Sequence, residues 1–435
     1  MHKYGYSSPT DGNYYIDGKV FSVGEDFRTP ARYKEYKDVG FDVLLLQAND
    51  PYLGEEWEKS QTKKNMDNAS KGGIDKIIVY DKRIHDLSKT ENGLIGEDFM
   101  DEEALTSFLE NCVKDYSKHP SFYGVMLVDE PSYKCFDSIG QIERCLKRIC
   151  PNIYIQCNLL PFYGDKKKLS PISIYSQREA YIDYIEQFIL KTPHDVITMD
   201  SYPIRRENCR DFLINTHFSG YQIVSDMAKK HHRKKGFVLE STAMLVNMKD
   251  KFRKLNKGTV EYQYAAALCF GANEISYFTY WAKQRNKTDD EYFPDGTAFI
   301  SRDGRKTEIY DAVAMIHEEY ESIERLLEDY EYSSSCVINS PLKGDSLEED
   351  VGIKVDTDAP LLATKLVNGA SCLYCLMNLD DPDETMHIKD VAVHFGEDKA
   401  YTVKKKNGTV GEGAREECVI SLKNGEVAFI EVKNV

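Results

Sequence analysis

No apolar run in this 435-residue chain approaches the ~18 residues that span a bilayer, and the N-terminal MHKYGYSSPTDGNYY has no apolar centre of the kind a signal peptide carries. The chain therefore reads as soluble and cytoplasmic, without a membrane partner; export stays open if a leader has been removed. Positive charge is also short. Lys and Arg number 56 against 72 Asp and Glu, a formal charge of −16 that repels a phosphate backbone on average, so nucleic acid is not an expected partner. A paired-cysteine framework is missing too: the 11 cysteines are odd in number and scattered, which suits a reducing compartment. The one Cys-x-x-Cys, Cys372 to Cys375, sits in a strand-like run whose three-residue offset sends the side chains to opposite faces, with no second pair to complete a zinc site. His85, His194 and His217 lack ligand spacing, and His231 and His232 belong to a basic helix end, so neither a metal nor another cofactor is expected. No Gly-rich phosphate loop follows a strand, and no Gly-x-Ser-x-Gly elbow is present.

What the chain does have is a rhythm. Eight short apolar runs recur with room for a helix between them: GKVFSVG from Gly18, GFDVLLLQ from Gly40, IDKIIVYD from Ile74, FYGVMLVDEP from Phe122, NIYIQCNLLP from Asn152, DVITMDSYP from Asp195, GFVLESTA from Gly236 and EISYFTYWA from Glu274. Their length and β-branched content mark strands. Between them the period shifts to about 3.6, as in Leu105, Phe108, Leu109, Cys112, Val113 and Tyr116, or Ile139, Ile142, Cys145, Leu146 and Ile149. Strand followed by helix, eight times over roughly 310 residues, predicts a (β/α)8 TIM barrel, with a doubly wound open sheet as its rival. After about Leu327 the runs become short, alternating and separated by Asn-Gly and Asp-Pro turns, which predicts a small antiparallel β-sandwich. The expected division is a catalytic barrel over 1–330 and an accessory β-sandwich over 331–435.

In such a barrel the C-terminal strand ends converge on one mouth. Strand four ends in Asp129 and Glu130, strand five in Asn158, strand six in Asp200 and Tyr202, strand seven in Glu240, strand eight in Tyr280 and Trp281. Glu130 shares parity with Gly124, Met126 and Val128, and Glu240 with Val238, so both are expected to face inward. Two carboxyls across a mouth suit glycoside hydrolysis, with retention at about 5 to 5.5 Å and inversion at about 6.5 to 9.5 Å. Partial burial and repulsion from a neighbouring carboxylate favour a neutral acid, and on that basis Glu130 is expected to be the acid/base and Glu240 the nucleophile. Simpler structural roles remain open: Asp-Glu-Pro as a strand-to-helix junction and Glu-Ser-Thr at 240–242 as a helix cap. Trp57, in a polar stretch after strand two, either flanks the mouth or pins its loop, and the insertions after strands three and eight are expected to rim the site.

The runs GVMLVDEP, DVITMDSYP, GFVLESTA, GANEISYFTYWA and AFISRDGRKTEIYDAV resemble clan A glycoside hydrolases, the "4/7" barrels, and in particular relatives of the family forty-two β-galactosidases. The resemblance covers most of residues 15 to 330. It implies a retaining glycosidase acting on a carbohydrate substrate, with the acid/base ending strand four and the nucleophile ending strand seven, at Glu130 and Glu240. Tyr202 resembles the tyrosine that some clan members aim at the nucleophile, with a half-buried tyrosine before a Pro turn as the alternative. Trp281 is either a sugar platform, as the clan often has there, or core packing; Asn158, otherwise a loop cap, and Tyr280 are further substrate-binding candidates from the strand ends. One departure stands out: the clan's Asn before the acid is here Asp129, which accepts but cannot donate a hydrogen bond to a sugar 2-hydroxyl. A non-catalytic glycan-binding barrel is the alternative function; a lyase or aldolase is disfavoured, because the strand ends offer no lysine. A homo-oligomer stays open.

Overall fold

The computed structural model describes residues 1–16, 19–48, 56–95, 101–204, 213–243, 245–246, 249–250, 253–282, 291–292, 296–339, 350–396 and 399–434. Eight parallel strands form one sheet: β1 (His2–Gly5), β2 (Leu44–Gln47), β3 (Ile77–Tyr80), β4 (Phe122–Asp129), β5 (Tyr154–Leu159), β6 (Val196–Asp200), β7 (Lys234–Glu240) and β8 (Glu274–Phe278). From β2 to β8 each strand pairs with its sequence neighbour, and β1 pairs with β8. The Lys3 carbonyl accepts from Asp42 N at 3.0 Å and Val43 N at 3.4 Å, bringing β1 against β2 and nearly closing the ring. This is the expected TIM barrel. Its first strand differs from the expected one. The run around Lys19–Ser22 pairs instead with Asn13–Ile16 as an antiparallel hairpin, and Val20 and Phe21 there are exposed. His2–Gly5 takes its place because Tyr4 and Tyr6, two residues apart, both fill the barrel interior. The total stays eight, so the fourth and seventh strands keep their numbers.

Inside the ring, Tyr4, Tyr6, Val43, Leu45, Met126 and Val238 form a separate apolar core. Outside it, the helices bury their stripes against the strands; Glu102–Val113, opened by an Asp101 cap, buries Leu105, Leu109, Cys112 and Val113. Phe108 lies off that stripe and is exposed. No described helix is long and apolar enough to cross a membrane.

The strands become antiparallel from Glu331 on. A six-stranded sheet faces a three-stranded one across a core that includes Leu361, Leu376, Val391, Ile420 and Ile430, which makes the expected sandwich. The other face of the six-stranded sheet, with Leu362, Leu373 and Phe429, joins the core around the barrel. Cys372 packs on the inter-sheet side and Cys375 on the barrel side. Arg253 bonds both Asp381 oxygens at 2.7 Å, and Lys406 bridges Glu261 at 2.7 Å and Glu319 at 3.1 Å, so the seam is polar at its rim.

Candidate active site

The mouth is built by strand register. Gly124 opens the inward face of β4, where a Cβ would stand 1.9 Å from the Tyr154 carbonyl oxygen, so only glycine allows this approach of β5. Further along, Met126 pairs with Gln156 but Val128 pairs with Cys157, leaving Leu127 as an extra residue in a β-bulge. The bulge reverses the parity read from the sequence. Val128 turns outward into the surrounding core, and Asp129 pairs with Asn158, whose Nδ2 donates to Asp129 Oδ1 at 2.9 Å. Glu130 follows at φ +49°, a left-handed conformation for a residue with a side chain. Such a geometry costs on the order of 1–3 kcal/mol and persists where surroundings hold it. Here Glu130 N donates to the Asn158 carbonyl at 2.8 Å, and the Tyr184 hydroxyl donates to the Pro131 carbonyl at 2.6 Å.

Strand β7 keeps its expected parity: Phe237 and Leu239 pack outward, Val238 packs inside, and Glu240 follows on the inner face. Glu240 is 1% exposed, and its Oε2 accepts from Ile204 N at 3.2 Å. Its backbone is clamped by Gln263, which takes Glu240 N at 2.9 Å and returns Nε2 to the Glu240 carbonyl at 3.1 Å. The burial anticipated for Glu130 thus falls on Glu240; Asp129 and Glu130 are exposed at the rim.

Asp200, at the end of β6, sits in the same mouth and is buried. Burial, then the Glu130 and Asp129 carboxylates, push its carboxyl well above the usual range, while hydrogen bonding by Tyr202 and Asn158 opposes the rise. Sequence reasoning placed Asp200 at a strand end without giving it a role. Tyr202 has its ring 5.9 Å from Phe278, and Tyr6 lies 6.2 Å from the same ring, so the aromatic wall of the mouth is Tyr6, Phe278 and Tyr202. Burial, followed by Asp200 and Asp129, holds the Tyr202 hydroxyl far above its ordinary value, leaving it a neutral donor.

Three expected substrate contacts lie elsewhere. Strand β8 ends at Phe278, two residues earlier than the sequence suggested, so Tyr280 turns out into the surrounding core against Tyr36 and Phe41, with ring centroids 4.7 and 6.0 Å away. Trp281 packs 5.0 Å from Phe27 and is 2% exposed, the position of a core residue rather than a sugar platform. Trp57 lies in the short helix Trp57–Lys59 beside a surface groove of about 620 Å³, lined by residues such as Lys63, Asp67, Lys118 and His119. Lys118 and His119 precede β4, so this groove reaches toward the end of the barrel opposite the mouth. Parts of the loops expected to rim the site, 49–55, 96–100, 283–290 and 293–295, lie outside the described residues. Among the described residues, no three of His, Cys, Asp and Glu group as metal ligands would.

Residues 133–323 match the family model described as beta-galactosidase, glycoside hydrolase family 42, a stretch that contains Glu240 and begins just past Glu130. None of the curated proteins matches the chain in sequence. Among solved structures, a family 27 β-L-arabinopyranosidase from Geobacillus stearothermophilus aligns over 100% of this chain and 96% of its own, with a TM-score of 0.54 at 9% identity. A family 5 glycoside hydrolase from Bacteroides vulgatus aligns over 100% and 88%, with a TM-score of 0.52 at 12% identity. At those identities the likeness is one of fold. By the family match over 133–323 and by its barrel, the chain resembles the clan A glycoside hydrolases of the family 42 kind.

Proposed function

We propose that the protein hydrolyses a β-glycosidic bond with retention, Glu130 serving as acid/base and Glu240 as nucleophile. The observation that carries this reading is that β4 and β7 end in carboxylates of complementary setting around one mouth. Glu240 lies beneath the rim on the inner face of β7, where its Oε2 accepts from the Ile204 N–H, and as a carboxylate it attacks the anomeric carbon. Glu130 stands at the exposed rim beside Asp129, where a leaving group departs and water enters. Protonated, it gives its proton to the departing glycosidic oxygen while Glu240 forms the glycosyl–enzyme bond. As a carboxylate, it then removes a proton from the water that cleaves this bond. Tyr6, Phe278 and Tyr202 offer aromatic faces to a sugar. The barrel over 1–330 carries the reaction in this reading, and the sandwich over 331–435 supports it from outside.

The test is turnover of a panel of aryl β-glycosides by the wild type, Glu130→Ala and Glu240→Ala. Hydrolysis by the wild type alone fits the assignment. Sugar binding without turnover would favour a glycan-binding barrel instead.

A further inference from the structure

Leu127 has no ladder partner on either side. The β5 register passes from Met126–Gln156 to Val128–Cys157, and β3 ends at Tyr80, whose partner is Met126. Leu127 and Val128 are both buried in the core outside the ring, two consecutive side chains on one face, which a regular strand does not allow. A carbonyl displaced from the ladder at such a bulge needs donors from elsewhere.

It finds them on the helix Lys82–Ser88, into which β3 turns. His85 and Ser88 are three residues apart and so share a helix face; His85 Nδ1 lies 2.9 Å and Ser88 Oγ 2.8 Å from the Leu127 carbonyl oxygen. A carbonyl only accepts, so the imidazole carries a proton on Nδ1. The Ser88 hydroxyl shares its one proton with the His85 carbonyl, 2.7 Å away. Both side chains are buried, and the His85 ring packs 4.7 Å from that of Tyr80. The helix is fixed at its start by Asp81, which accepts from Arg83 N at 3.0 Å and pairs with the Arg83 guanidinium.

What these two side chains hold decides which acid faces the mouth. Without the extra residue, Leu127 would stand opposite Cys157 and Val128 opposite Asn158, and every later side chain would change face. Asp129 would leave the inner face and its bond to Asn158, and Glu130 would move one residue, about 3.3 Å, further out along the strand. We propose that His85 and Ser88 are positioning residues for the mouth: by donating to the Leu127 carbonyl they hold the bulge that sets Asp129 inward and Glu130 at the rim. The effect on turnover rests on the glycosidase reading, in which Glu130 protonates the leaving oxygen; the hold on the bulge does not.

The test compares His85→Leu/Ser88→Ala, which removes both donors, with His85→Asn, whose amide nitrogen takes the place of Nδ1. Two readouts are taken on the full chain. Amide exchange at Glu130, whose N–H donates to the Asn158 carbonyl at 2.8 Å, is expected to quicken by about tenfold in the double variant, with β7 unchanged, and to stay near the wild-type rate in His85→Asn. In the double variant, kcat/KM on aryl β-glycosides is expected to fall by about tenfold for phenol, a leaving group that needs the acid, and little for dinitrophenol, which departs without one. An equal effect on both leaving groups would overturn the proposal. So would a His85→Asn variant as impaired as the double variant, or unchanged exchange at Glu130 in the double variant. If the wild type cleaves no aryl glycoside, the glycosidase reading fails and exchange alone decides the hold on the bulge. If the double variant does not fold, Ser88→Ala takes its place with the same expected directions and the same contradicting results.

Discussion

The two ends of the barrel carry the same kinds of residue and treat them oppositely. At the N-terminal end, Glu274 accepts from the Tyr154 hydroxyl at 2.6 Å, and His2 meets Asp42 at 2.6 Å, with Lys76 3.5 Å from the same carboxylate. Tyr123 stacks on Tyr154 at 5.0 Å and bonds His2 Nε2 at 3.2 Å. Glu274 and Asp42 each have a donor or a cation beside them, as buried or half-buried carboxylates of a closed floor require. At the C-terminal end, Asp129 and Asp200 have, among the described residues, an amide, a phenol and each other, and Glu130 adds a third carboxyl under backbone strain. The contrast separates the carboxylates that protein partners hold from those the proposed reaction would use.

The sharpest way to break the comparison is to delete mouth and floor groups in parallel. Glu240→Ala is expected to lower kcat by on the order of 10⁴-fold, with thermal unfolding little changed, and Glu130→Ala by roughly 10²- to 10⁴-fold. Steady-state kinetics beside a melting curve checks both. Next in size is Trp281→Ala: its packing against Phe27 predicts a loss of about 3–5 kcal/mol in denaturant unfolding, with KM unaltered in the protein that remains folded. A raised KM without lost stability would return Trp281 to the sugar site. On the floor, Tyr154→Phe strips Glu274 of its donor and should cost about 1–3 kcal/mol while leaving kcat/KM unchanged.

Asp200→Asn sharpens the contrast through pH. The folded state holds a proton on Asp200 that the unfolded chain releases near the ordinary aspartate value of about 3.9, so the native state binds more protons above that pH. Stability therefore falls as pH rises from there through the raised folded value, and the penalty is complete above it. The Asn variant lacks this part of the decline. It should be more stable than the wild type at neutral pH and gain nothing at a pH below the ordinary aspartate value, as measured by urea unfolding across pH. Smallest of all is Trp57→Ala, which lies away from the mouth and should leave kcat/KM within about twofold.

Much of this was legible from periodicity. The helical stripes and eight strand intervals require nothing beyond apolar spacing, and the change to short alternating runs near Leu327 marks the sandwich. Parity located Glu240 correctly because β7 is regular. It failed on β4 because one extra residue, Leu127, shifts every side chain after it, and no local signal distinguishes a bulged Leu from a paired one. The first strand was overlooked because Tyr4 and Tyr6, spaced by two, make an aromatic interior face in a segment otherwise polar; that alternation was the available sign. Tyr280 and Trp281 were set in the mouth by extending β8 past Phe278, where the strand pairing stops.

The most direct measurement is the anomeric configuration of the product when each glutamate variant is supplied with azide and an activated aryl β-glycoside. Glu240→Ala should release the α-glycosyl azide, because azide then attacks from the face the carboxylate has vacated, and Glu130→Ala should release the β-glycosyl azide, formed from the covalent intermediate. Undiminished hydrolysis in either variant, or the same azide anomer from both, would contradict the pairing of β4 and β7 on which the proposed chemistry depends.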